Sequence, residues 1–212
     1  MVPNSPETQE LLDRARTGEA GAVDRLLAGH REPLRRMISL RLDPALAARV
    51  DASDVVQDVL LEASRRLKDY LRDPSMPFHL WLRHIARDHV IDAYRRHRLA
   101  QRRSLDRERP MLAAGLNDRS SVELAGRLVD PELTPATAAV RQELQRRLHA
   151  AIAELAEADR EIILMKHFEQ LSNQEIAAFL GLSEAAASMR YLRAVRRLKA
   201  SLAPESGTGA LP

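Results

Sequence analysis

Arg190, Arg193 and Arg197 recur at i, i+3 and i+7, which sets three guanidiniums along one face of a helix. Ala186 lies in line above them. A face that is small at its leading end and cationic below suits the DNA major groove, where arginine bonds base edges and phosphates. The residues around this face predict the elements that hold it. Ser172 with Glu175 three residues later has the form of a capping box opening a first helix. Ile176, Ala177 and Leu180 give that helix an apolar face. Gly181 supplies the positive φ of a tight turn, and Ser183 caps a second helix. On the second helix Ala187, Tyr191, Ala194, Val195 and Leu198 face inward. Residues 172–199 therefore read as a helix-turn-helix whose second helix presents arginines outward.

A second basic element lies upstream in FHLWLRHIARDHVIDAYRRHRLAQRR. Arg83, Arg87, Arg95, Arg96, Arg98, Arg102 and Arg103 are interleaved there with Trp81 and Tyr94, and Asp88 and Asp92 are its acids. Arginine attracts phosphate, and aromatic faces stack on unpaired bases, so the pattern suits single-stranded or melting DNA. His79, His84 and His89 are spaced by five, so each turns about 140° from the last and the three do not converge on a metal. The preceding helical segment, DASDVVQDVLLEASRRL, buries Val55, Val59, Leu60, Ala63 and Leu67. Its other side gathers Asp54, Gln57, Asp58 and Leu61, a polar and acidic patch suited to docking on a basic protein surface.

Composition fits this reading. The chain has 212 residues, 45% of them hydrophobic and only 3% aromatic, so its core is built of Leu, Ala, Val and Ile, which suits helices. Net charge is +3 and unevenly distributed. The absence of cysteine excludes disulfides and thiolate zinc sites. No apolar run approaches the roughly 20 residues of a membrane span. Residues 1–20 are polar and acid-rich and have no secretory signal pattern. A cytoplasmic protein without membrane contact or cofactor is expected.

Helical periodicity predicts helices over 7–17, 21–42, 51–71 (with Ser53 as cap) and 77–98, the last opened by Pro77. Asp43 and Pro44 break the second. From 101 to 135 the pattern fades among Pro110, Gly115, Gly126, Pro131 and Pro135, which predicts a linker with at most short helices. Helix returns over 136–156. Asp159 is expected to cap the next helix, which ends near Phe168. Residues 203–212 read as a disordered tail. The expected fold is all-α, with two small helical domains over 7–100 and 136–202 on a flexible linker.

The order of these segments resembles an extracytoplasmic-function (ECF) sigma factor of bacterial RNA polymerase, in the sigma-70 family. The likeness rests on DVVQDV, then FHLWLRHIARDHVIDAYRRHR, then LSNQEIAAFLGLSEAAASMRYLRAVRRL, and covers about residues 10–100 and 136–202. It implies a region-two-like bundle that binds the polymerase clamp helices and melts the −10 element. It also implies a region-four-like helix-turn-helix domain that reads the −35 element and sits on the β flap. Asp54, Gln57 and Asp58, with Leu61 beside them, fall to the polymerase contact. The loop Arg72–Phe78 falls where the family captures a flipped −10 base, and Arg87, Asp88, Arg95 and Arg96 fall along the melted strand. Trp81, Arg83 and Tyr94 join that −10 set as members of the same basic aromatic helix. Ala186, Ser188, Arg190 and Arg193 fall in the −35 groove, with Ser183 and Arg197 completing the face. Asp88 stands where asparagine is common, and Ser188 where lysine is frequent. An anti-sigma factor is a further partner that the family implies.

The resulting expectation is a promoter-specificity subunit, without catalysis of its own, that acts with core polymerase and promoter DNA. The alternative is a free-standing helix-turn-helix regulator, which leaves the acidic face and the basic aromatic helix without a task. An enzyme acting on nucleic acid would need converging carboxylates, histidine ligands or a Gly-rich phosphate loop, and the sequence presents none of these.

Overall fold

The computed structural model of the protein describes residues 5–42, 44–101, 119–128 and 138–203. Arg102 and Arg103, the segments 102–118 and 129–135 of the expected linker, residues 136–137 and the tail from 204 onward lie outside the described residues, as does the side chain of Arg98.

Ten α-helices follow in chain order among the described residues. Helix α1 (Pro6–Arg16) starts on Ser5, whose Oγ accepts the Thr8 amide at 3.1 Å. Helix α2 (Ala22–Ser39) leaves a left-handed Gly21 at φ 74°, and a single turn, α3 (Pro44–Ala47), follows where the sequence suggests only a break. Helix α4 (Ala52–Arg72) is capped by Asp51, not Ser53. The Asp51 carboxylate accepts the Ser53 amide at 2.8 Å, and a carboxylate at a helix N-terminus also meets the positive end of the dipole. Helix α5 (Phe78–Gln101) begins one residue after Pro77. Leu26, Leu34, Met37 and Ile38 of α2, Val59, Ala63 and Leu67 of α4, and Phe78, Leu82 and Ile85 of α5 close a first core. Ala63 is fully buried there, its small side chain admitting the neighbouring helix.

Helix α6 (Arg119–Leu128) falls inside the expected linker. It is not a bare connection, because Leu124 and Ala125 are buried in a second core. Helix α7 (Ala138–Glu154) and α8 (Glu157–Ile163) continue that core with Leu148, Ile152, Ile162 and Ile163. Asp159 does not cap α8: the capping position is Ala156, without a side-chain bond. Asp159 sits in the first turn and accepts from Arg197 at 2.6 Å. A π-helical turn, Leu164–Phe168, ends α8.

Helices α9 (Asn173–Leu180) and α10 (Glu184–Leu202) form the helix-turn-helix. The capping box forms in both directions, with the Glu175 amide on Ser172 Oγ at 3.2 Å and the Ser172 amide on Glu175 Oε2 at 2.8 Å. Gly181 is left-handed at φ 64°, and Ser183 Oγ accepts the Ala186 amide at 3.2 Å. Ala187, Ala194 and Leu198 are buried, and Tyr191 and Val195 pack against the same core. No strand occurs among the described residues.

The capping box gives a direct stability test. Ser172→Ala removes one cap bond and leaves the α9 amides short of an acceptor, so it should cost about 1 kcal/mol, read as a lower urea midpoint at unchanged slope.

Candidate nucleic-acid and polymerase interface

Three groups of predicted residues occupy three different environments. Asp54, Gln57 and Asp58 are exposed on α4, and Leu61 beside them is 51% exposed, unusually open for a leucine in a chain with well-filled cores. The spacing is i, i+3, i+4 and i+7, so they form one face pointing away from the first core. A carboxylate pair around an exposed leucine supplies both charge and apolar area to a protein partner.

The α10 face is also open. Ser183, Ala186, Arg193 and Arg197 are exposed, and Ser188 and Arg190 are half-buried. Arg197 is tied to Asp159, while Arg190 and Arg193 stand nearer the helix start. Asn173, at the first position of α9, is a member that sequence reasoning missed. Its Nδ2 donates to Ser188 Oγ at 3.1 Å, and its Oδ1 accepts from Lys166 Nζ at 2.8 Å. The side chains at 166, 173 and 188 thus form one polar chain across the turn motif. They lie on three different elements, the π-helical turn, α9 and α10, so no single helical or strand period joins them in the sequence.

The α5 group divides. Arg72, Asp88, Arg95 and Arg96 are exposed. Asp88 stands 3.6 Å from Arg87 Nε, and Asp92 stands 3.5 Å from Arg95, so the acids of this helix partly neutralise its arginines. Phe78, in contrast, is fully buried in the first core. Trp81 is half-buried and packs in a cluster with Phe78 and Tyr70, with centroids 5.5 and 4.8 Å away. The Tyr94 hydroxyl donates to the Arg41 carbonyl at 2.6 Å. The sequence suggests Trp81 and Tyr94 as stacking surfaces for unpaired bases, and Phe78 as the end of a base-capturing loop. The structure uses them as packing, because a chain this poor in aromatics needs its large rings for the core.

Arg83 differs most from expectation, being 0% exposed. Its Nη2 donates to Glu161 Oε1 at 2.6 Å, and its Nη1 meets Glu169 Oε2. Arg41 completes the group, with Nη2 at 2.7 Å from both Glu161 Oε1 and Glu169 Oε1. Burial lowers the Arg83 guanidinium to about 9, helped by the like charge of Arg41 and opposed by Glu161. Burial would raise the Glu161 carboxyl, but Arg41 and Arg83 outweigh it and hold it at about 2. Arg83 and Glu161 are therefore both charged at neutral pH.

Further contacts accompany this cluster. Arg83 and Arg87 lie over the Phe179 ring at 4.6 and 5.3 Å, and the His84 ring stacks on it at 4.3 Å. His79 Nε2 is 2.7 Å from Glu175 Oε1, the same carboxylate that closes the capping box. Burial depresses the His79 ring against the pull of Glu175. Leu80 enters the second core, and Leu40 packs on Leu164 and Phe168. A cavity of about 570 Å³ remains beside the cluster, lined by Arg41, Val90, Tyr94, Ala158 and Leu180 among others. Among the described residues no group of three or more acidic or histidine side chains could hold a metal.

The pH dependence of this junction has a definite sign. Glu161 titrates near 2 in the folded chain against an ordinary 4.5, so its contribution is present above about 4.5 and is lost as pH falls toward 2. Wild-type melting temperature should therefore fall more steeply across that window than that of Glu161→Gln, which starts lower at neutral pH but lacks this proton. Parallel slopes would contradict the assigned charge state.

Two family descriptions match the chain: sigma-70 region 2 over residues 27–100 and sigma-70 region 4 over residues 145–198. The RNA polymerase sigma factor CnrH of Cupriavidus metallidurans is 32% identical over 92% of this chain and 94% of its own. The RNA polymerase sigma-H factor of Pseudomonas aeruginosa is 26% identical over 93% and 95%. The ECF sigma factor SigD of Mycobacterium tuberculosis is 29% identical over 94% and 85%. Among solved structures, CnrH in complex with the cytosolic domain of CnrY superposes with a TM-score of 0.59 at 26% identity, covering 92% of this chain and 97% of that one. The sigma factor RpoE of Bartonella quintana, solved with the anti-sigma factor NepR, shares the fold with a TM-score of 0.56 at 19% identity, over 86% and 98%. With both regions matched in order and relatives aligned along nearly their whole length, the chain belongs to the sigma-70 family as an ECF sigma factor, a promoter-specificity subunit of RNA polymerase.

Proposed function

We propose that the exposed α4 face docks this chain on core RNA polymerase, that α10 reads the −35 duplex, and that α5 with its preceding loop holds the opened −10 strand. The observation that carries this reading is the separation of charge. An acidic face with an exposed leucine lies on the first domain, and an arginine face lies on the outer side of a well-capped helix-turn-helix in the second. The two faces suit different partners, one a basic protein surface and the other DNA. Joining two DNA contacts and a polymerase contact in one chain raises effective concentration, so each contact can be weak alone. Unstacking bases costs a few kcal/mol, and contacts to the captured strand offset it. No residue needs to do catalysis in this scheme. An anti-sigma factor is a further partner: RpoE of Bartonella quintana is solved with the anti-sigma factor NepR, and CnrH with the cytosolic domain of CnrY. Among the described residues no helix is long and apolar enough to cross a membrane, in keeping with action beside polymerase in the cytoplasm.

Asp54→Arg with Asp58→Arg reverses the docking charge without touching the core. The double variant should keep its helix content and bind core polymerase about tenfold more weakly, or worse, in a pull-down titration. Unchanged affinity would remove α4 from the interface.

Arg190→Ala tests the duplex-reading face. If Arg190 bonds a base edge in bidentate fashion, the substitution should cost about 1–3 kcal/mol and relax preference at one −35 position. If it bonds only a phosphate, the substitution should weaken binding to all sequences alike. Affinity measured across a promoter library separates the two outcomes, and insensitivity to the change would rule out this face.

A further inference from the structure

We propose that Met189 and Leu192 determine sequence preference in the −35 contact, by packing on the C5-methyl groups of two neighbouring thymines in the major groove. This rests on the reading of α10 given above. Both side chains are open to solvent, Met189 at 55% and Leu192 at 45%, and neither belongs to the second core. Two large apolar side chains one helical turn apart on an open face mark a contact surface.

The burial pattern of α10 fixes where they point. Ala187, Ala194 and Leu198 are buried and mark its inward side. At about 100° per residue, Met189 and Leu192 each lie roughly 140–160° around the helix from Ala187 and Ala194. Ala185, four residues before Met189, and Arg196, four after Leu192, extend the same stripe, and all four are exposed. Arg190 is only about 60° from Ala187, which accounts for its being half-buried. The arginine stripe of 190, 193 and 197 is therefore one flank of α10. The centre line of its outward face is small at Ala185, then apolar, and cationic only at Arg196.

The surroundings of the pair select a duplex over an apolar protein groove. Between Ala185 and Leu202 the helix carries Arg190, Arg193, Arg196, Arg197 and Lys199 and no acid. Arg190 and Arg193 stand on one flank. On the other, Ser188 bonds Asn173, and Lys166 bonds the same amide. Cations thus border the apolar pair on both sides. The major groove has the matching lateral order, with phosphates along its two edges and the thymine methyl as the apolar group on its floor. Ala185 and Ala186 at the leading end let the backbone come close. Met189 and Leu192 are separated by about 4.5 Å along the axis, against about 3.4 Å between base pairs, so they meet adjacent pairs. Methionine, unbranched and flexible, takes up the difference.

The probe is the promoter duplex that the full chain with core polymerase prefers in a library randomised across the −35 element. Each −35 thymine is then replaced in turn by deoxyuridine, which lacks only the methyl group. Wild-type affinity should fall about fourfold at each of two neighbouring positions, the effect of one buried methyl, and stay unchanged at the others. Met189→Ala and Leu192→Ala should each lose the response at one of those positions, a different one for each variant. Met189→Leu, which keeps an apolar side chain, should retain it. A preferred element without neighbouring thymines would overturn the assignment, as would wild-type indifference to every deoxyuridine or a wild-type response in both alanine variants. So would variants that keep the duplex response but bind core polymerase more weakly, which would make the pair a protein-docking surface. If a variant loses helix content, the wild-type deoxyuridine scan decides. Absence of any −35 preference in the wild type would instead remove the reading of α10, and this assignment with it.

Discussion

A guanidinium taken wholly out of water must be surrounded by counter-charge, and Arg83 is the side chain on which this requirement falls most heavily. Two carboxylates alone would leave an excess of negative charge in the junction. Arg41 balances them, and the four groups make a neutral cluster in which each carboxylate meets both arginines. The rest of the junction follows from this alignment. Phe179 covers Arg83 and Arg87 from one side, Leu80 passes into the second core, and His79 reaches the carboxylate that caps α9. Neutrality requires all four partners, so the cluster fixes the register of the two domains more sharply than apolar contact would.

The local grammar of the fold is largely legible in the sequence. Ser172 with Glu175, Gly181 and Ser183 define a helix-turn-helix through short-range rules, because caps and turns depend on neighbours within a few residues. The apolar stripes of α2, α4 and α10 are visible for the same reason. At the start of α4 two candidates for one cap lie two residues apart, and the carboxylate of Asp51 prevails over Ser53. Asp159 has the residue type of a cap, yet its carboxylate serves Arg197, 38 residues away.

The limits of that reading lie with long-range partners. Periodicity alone groups Arg83 with its helix neighbours as a solvent-facing cation. Its burial is decided by Glu161 and Glu169, which lie 78 and 86 positions later in a different domain. Trp81 invites a similar reading as a stacking surface, and Phe78 as the end of a base-capturing loop. Tyr70, brought alongside by the fold of α4 against α5, makes them part of the core instead. The exposed face of α4 needs no such partner, and sequence and structure agree on its exposure.

The polar chain through Asn173 has a bearing on how such factors can be rewired. Ser188 belongs to α10, but the amide that fixes its hydroxyl belongs to the helix before it, and Lys166 orients that amide from the π-helical turn. On the proposed reading of α10, transplanting it alone into another scaffold would carry its exposed side chains and leave behind the bracing that sets one of them. On that proposal the smallest portable unit of promoter preference in this domain is the segment from Lys166 through α10, and a chimera cut at the turn would inherit an incomplete address.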